Sequence, residues 1–108
     1  MFSWDGPTGI GSTHMIGLPF LFGTTGAKRW REIIGDGPQA RLLSSTIQEN
    51  VAQFIRGAVP TLDEIGPWPA FTADARQTVH VRGGAPELIP DVWRHQRVRL
   101  EEVLKSLR

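Results

Sequence analysis

The chain has 108 residues, twelve Lys and Arg against eleven Asp and Glu, a formal charge of +1, and no cysteine. A balance this close to neutral gives no field that would favour nucleic acid or an anionic membrane as partner, and without cysteine there is no disulfide, thiolate metal site or cysteine nucleophile. With 40% hydrophobic residues the length suits about one small domain that has a core of its own.

In chain order, Phe2-Ser3-Trp4 reads as the end of a strand and Asp5-Gly6-Pro7 as the turn that stops it. A strand this short needs sheet neighbours, and the expectation is that these are strands the sequence does not encode. Residues 8 to 17 carry Gly9, Gly11 and Gly17 and read as a loop with backbone conformations that side chains disfavour, with His14 near its middle. Leu18 to Phe22 is apolar but contains Pro19, which fits a buried turn or short helix better than a central strand. A short helix is expected around Ala27 to Ile34, ended by Gly35-Asp36-Gly37-Pro38.

From Pro38 to Arg56, Leu43, Ile47, Val51, Phe54 and Ile55 recur at spacings of three and four, which predicts an amphipathic helix with those five on its buried face. Pro38 suits its first turn and Gly57 the position just past its end. Residues 58 to 77 hold Pro60, Gly66, Pro67 and Pro69 and read as an irregular connection anchored by Leu62, Ile65, Trp68 and Phe71. Thr78 to Arg82 alternates as a short strand stopped by Gly83-Gly84. From Pro90 a second amphipathic helix is expected, with Trp93, Leu100, Val103, Leu104 and Leu107 on one side and arginines mixed with Glu101 and Glu102 elsewhere.

Three separate stretches resemble the type B carboxylesterases. The first is an aromatic strand, a glycine-containing loop with a histidine, and a Leu-Pro-aromatic segment ending in Phe-Gly: Phe2 to Pro7, His14, and Leu18 to Gly23. The second is a helix that opens Leu43-Ser44 and closes Phe54, Ile55, Arg56, Gly57. The third is Trp68-Pro69-Ala70-Phe71 ahead of a last strand and a terminal helix. The order is similar to that of the family's C-terminal region.

The resemblance implies an α/β fold: residues 1 to 108 as the C-terminal portion of an α/β-hydrolase, mostly helical as an isolated chain with one or two short strands, and no complete independent domain boundary. It implies that His14 is the catalytic base of a carboxylic-ester hydrolase, taking the proton of a serine nucleophile while its other ring nitrogen donates to a carboxylate. On that fold the serine and acid precede the histidine, and Ser3, Ser12, Ser44, Ser45 and Ser106 all lack the paired glycines of a Gly-x-Ser-x-Gly elbow. The nucleophile and acid are therefore expected on an N-terminal esterase segment, and the isolated chain is expected to be inactive.

Leu18 and Phe20 are the candidates for lining an acyl or alcohol pocket. The expected partners are an ester substrate in the complete enzyme, that N-terminal segment, and further copies of the chain through exposed apolar faces. No nucleic acid, membrane span, cofactor or metal is implied. The chain departs from the family in two places. Members often have Gly just after the histidine and an acidic residue three after it, where this chain has Met15 and Gly17.

His80 and His95 have no second ligand at a spacing that assembles a metal site, and both are read as structural. Asp5 and Asp36 read as turn residues and Asp63-Glu64 as a solvated pair. A different class of reading stays open beside the hydrolase: a noncatalytic remnant or helical interaction module, with Gly17 as a sign of relaxed constraint. Lack of cysteine and of a signal-peptide pattern leans towards the cytoplasm.

Overall fold

The structure, a computed structural model, describes residues 1–82 and 86–108. Among the described residues four helices and five short strands follow in the order β1 (Phe2–Ser3), α1 (Leu18–Leu21), α2 (Lys28–Ile34), α3 (Pro38–Ile55), β2 (Thr61–Leu62), β3 (Gly66–Pro67), β4 (Gln77–Arg82), β5 (Glu87–Pro90) and α4 (Arg94–Ser106). This mixture of helices and short strands is the one expected of part of an α/β fold.

One expectation about the sheet is corrected. β1 does not wait for strands outside the sequence, because it pairs in parallel with β4, Phe2 opposite Val81 and Ser3 opposite Arg82. Parallel strands need a long crossover, and here everything from the histidine loop to residue 76 serves as one. β5 was not expected as a strand. It pairs antiparallel with β4 from Gln77 opposite Pro90 to His80 opposite Glu87, which completes a sheet in the order β1-β4-β5. Pro90 cannot donate to a ladder, so it is tolerated because β5 lies at an edge. The segment expected to be irregular contains a second small sheet, β2 paired with β3. The Gly83-Gly84 stop lies outside the described residues.

The core is built around Phe20, which is fully buried, with Trp4, Ile16, Ile34, Ala40 and Leu43 about it and Phe2, Trp30, Ile33, Ile47 and Val81 packed against them. The Phe20 ring lies 5.0 Å from that of Phe2 and 4.9 Å from that of Trp4, both tilted, an arrangement aromatic quadrupoles favour. β1 and α1 are thereby locked together.

α3 starts at Pro38, whose missing N–H costs nothing in a first turn. It ends before Gly57, which takes φ +79°, a conformation open to glycine at little cost. Its packed stripe is Ala40, Leu43, Ser44, Ile47 and Asn50, which keeps Leu43 and Ile47 of the five expected residues and leaves Val51 exposed. Phe54 and Ile55 are exposed, because the helix outruns the core. Ser44 is accepted inside because its hydroxyl donates to the Phe20 carbonyl at 2.7 Å. Phe71 is exposed as well and does not anchor its connection.

α4 contrasts with the rest, since none of its residues is buried. Its start is fixed by charge instead. Arg97 donates to both carboxylate oxygens of Asp91 at 3.1 and 2.6 Å and to Glu101 at 2.7 Å. The Arg97 hydrogen bonds hold the Asp91 carboxyl below its ordinary range, and the same contacts push the guanidinium pKa upward.

Candidate active site

The histidine loop is pinned at both ends by groups that the sequence places there. At its start the Ser12 hydroxyl accepts from the Trp4 N–H at 2.6 Å and donates to the Trp4 carbonyl at 3.2 Å, so one side chain satisfies both backbone groups where the strand ends. The Trp4 indole N–H donates to the Ile34 carbonyl at 3.0 Å, which ties the strand to the last turn of α2. Gly6 is needed at the same junction, since a Cβ there would run into the Ile33 carbonyl oxygen.

At its far end the loop turns into α1 through two tight bonds, Ile16 N–H to Thr13 carbonyl at 3.2 Å and Leu18 N–H to Met15 carbonyl at 3.0 Å. Ile16 is buried beneath. His14 stands exposed at the turn between these anchors. The loop's described hydrogen bonds run through Ser12, Thr13, Met15 and Gly17 rather than through the imidazole. Its backbone is fixed on two sides while its ring faces solvent, which suits a base that must meet groups supplied from elsewhere.

The two departures from the family pattern separate here. Met15 takes φ +67°, a left-handed conformation that costs a side-chain-bearing residue roughly 1–2 kcal/mol. This is the position where glycine would sit without strain. Gly17 has an ordinary helical φ of −72°, and a Cβ there would meet the Phe2 ring at 3.5 Å, so its backbone does not demand glycine. The left-handed turn that favours glycine therefore falls at Met15 and not at Gly17. The pocket expectation for Phe20 is corrected, because a side chain wholly enclosed by Phe2 and Trp4 lines no cavity.

No family profile and no curated protein sequence matches the chain significantly. Solved structures do. One structure of a PNB esterase superposes with a TM-score of 0.76 at 26% identity over 92% of this chain, and a second gives 0.73 at 25% identity over the same share. The chain has the fold of a carboxylesterase segment. It spans about a fifth of the length of the esterase chains it matches, 20% in each case.

The other two histidines lie on different elements from the loop. His95 is exposed in the first turn of α4. His80 is buried on β4, with Ser3 and Glu87 at its two ring nitrogens. Among the described residues no group of three or more His, Asp or Glu could hold a metal ion, and no helix is long and apolar enough to cross a membrane. An open apolar groove of about 940 Å³ runs between α3 and the sheet, lined among others by Leu42, Ile47, Val51, Phe54, Trp68 and Val79. His14 is not in its lining.

Proposed function

We propose that the chain is the C-terminal segment of a carboxylic-ester hydrolase and that His14 is the catalytic base of the complete enzyme. The observation that carries this reading is the anchored loop. An exposed imidazole on a turn held by Ser12 to the strand end and by Ile16 to the core lies in a chain that superposes on PNB esterases.

In the complete enzyme one His14 nitrogen takes the proton of a serine as it attacks the ester carbonyl, then returns it to the departing alcohol. The same nitrogen next takes a proton from water as the acyl-enzyme is hydrolysed. Serine, acid and oxyanion donors come from an N-terminal esterase segment, which makes that segment and an ester the partners of this one. Exposed Trp93, Leu100 and Leu104 make self-association the expected behaviour of the chain alone.

Two assays test the reading. The purified chain should hydrolyse short-chain activated esters no faster, over many turnovers, than a small histidine-containing peptide. Mixed with the N-terminal segment of a related esterase, it should restore saturable turnover that falls by several orders of magnitude in His14→Ala and stays near wild type in His95→Ala. Saturable turnover by the chain alone, or equal restoration by His14→Ala, would contradict the assignment. A chain that restores nothing with a folded partner segment would favour the noncatalytic module.

A further inference from the structure

The face of the sheet turned away from the core holds a histidine with a serine and a carboxylate at its ring nitrogens, partners that the loop histidine does not have among the described residues. Side chains alternate along a strand, so Phe2 and Val81 pack against the core while Ser3 and His80 lie on the opposite face. The parallel register of β1 on β4 and the antiparallel register of β5 bring together three residues that are scattered in sequence. Ser3 Oγ lies 2.7 Å from His80 Nε2, and His80 Nδ1 lies 3.1 Å from Glu87 Oε1.

Chemistry fixes the direction of these bonds. An ionised carboxylate only accepts, so Nδ1 carries the hydrogen that points at Glu87. In the neutral ring Nε2 then has a lone pair and accepts from the Ser3 hydroxyl. This is the tautomer a general base requires, in the order nucleophile, base, carboxylate. The site is graded in exposure: Ser3 is half-buried, the His80 side chain is 11% exposed and that of Glu87 55%. The imidazole is shielded while its serine stays within reach of solvent.

We propose that Ser3, His80 and Glu87 form a second nucleophile site, separate from the His14 loop, that takes one phosphonyl or acyl group from a small activated electrophile. With a fluorophosphonate, Ser3 Oγ attacks phosphorus, the Oγ–P bond forms, and the P–F bond breaks with fluoride taking the electron pair. The serine proton passes to His80 Nε2 and from there to solvent. With an activated aryl ester, the Oγ–C bond forms, the C–O bond to the aryl group breaks, and the departing phenolate receives that proton.

Two neighbouring backbone donors are already committed, the Trp4 N–H to Ser12 and the Val81 N–H to the Met1 carbonyl. Neither is free to stabilise an oxyanion, and such donors supply most of the acceleration in acyl transfer. With these two donors committed, the proposed reaction is a single transfer that leaves the group on Ser3. Ser3 is the catalytic residue that bonds to the electrophile, His80 is its base, and Glu87 is a positioning residue.

The test is to treat the full chain with a biotinylated fluorophosphonate, measure intact mass over time and map the modified residue by fragmentation. The expected result is one label per chain, on Ser3, absent from Ser3→Ala and unchanged in rate in His95→Gln. Glu87 is half-exposed, so Glu87→Gln should keep the fold, lower the labelling rate by roughly a hundredfold and remove a low-field proton resonance from His80 Nδ1 that the wild type shows. No label on the wild type, label spread over Ser12, Ser45 and Ser106 as readily as Ser3, or a Glu87→Gln rate equal to wild type would overturn the proposal.

Discussion

Residues 2 to 47 and helix α4 are held in place by different physics. The first region closes a core about Phe20, with Trp4, Ile16, Ile34, Ala40 and Leu43 buried together. α4 buries nothing and is fixed at its start by the Asp91–Arg97–Glu101 cluster. Apolar periodicity is thus a statement about which face wants to be covered, not about whether this chain covers it. The candidate base belongs to the first region, where a misplaced ring would be costly, since about 1 Å of displacement can lose roughly a hundredfold in rate.

The contrast breaks most visibly under truncation of apolar side chains. Phe20→Ala should destabilise the chain by about 3–5 kcal/mol, the usual cost of emptying an aromatic site in a closed core. Leu104→Ala should change stability by no more than about 0.5 kcal/mol, as for a surface position. Denaturant melts of the two variants measure both. Equal losses would mean that α4 is packed as tightly as the histidine loop.

A smaller effect sharpens the description of the loop. Met15→Gly removes a side chain from φ +67° and should raise stability by up to about 1 kcal/mol, the relief of left-handed strain less the added freedom of the unfolded chain. The loss usual for a glycine substitution would show that the turn differs from the one described.

The smallest effect concerns acid. Hydrogen bonding from Arg97 lowers the folded-state pKa of Asp91 relative to the unfolded chain, so the unfolded state binds the proton more readily. The contribution is complete above the ordinary Asp value of about 3.9 and is lost as pH falls through the lowered folded value. The helical circular dichroism of α4 should therefore decline on acidification below about pH 4, and Asp91→Asn should lack that component. An identical acid profile in the variant would remove the cluster as the cause.

Much of the fold was legible because helices announce themselves locally. Pro38, the three-and-four spacing from Leu43, and Gly57 place α3 to within a residue of its observed end. What the sequence concealed is non-local. Phe2 and Ser3 carry no mark of the register that sets them against Val81 and Arg82, so the pairing of β1 with β4 is not legible in the sequence. β5 was hidden by its four-residue length and by Pro90, which an edge strand accepts.

The site divides in the same way. His14 is singled out as a candidate by its flanking motif, whereas nothing near Glu87 in sequence indicates that it and Ser3 meet at His80. The buried stripe of α3 was partly misread for a physical reason. Ser44 satisfies its hydroxyl on the Phe20 carbonyl and so enters the interior in place of an apolar residue.

The most direct measurement is made in a PNB esterase whose equivalent segment has been replaced by residues 1–108 of this chain, comparing kcat and KM of the chimaera with and without His14→Ala. If His14 is the base, kcat should fall on the order of 10⁴-fold or more, as when a triad member is removed, with KM changed little. A chimaera that is active and loses less than about tenfold in kcat with His14→Ala, far short of what loss of a general base costs, would contradict the assignment.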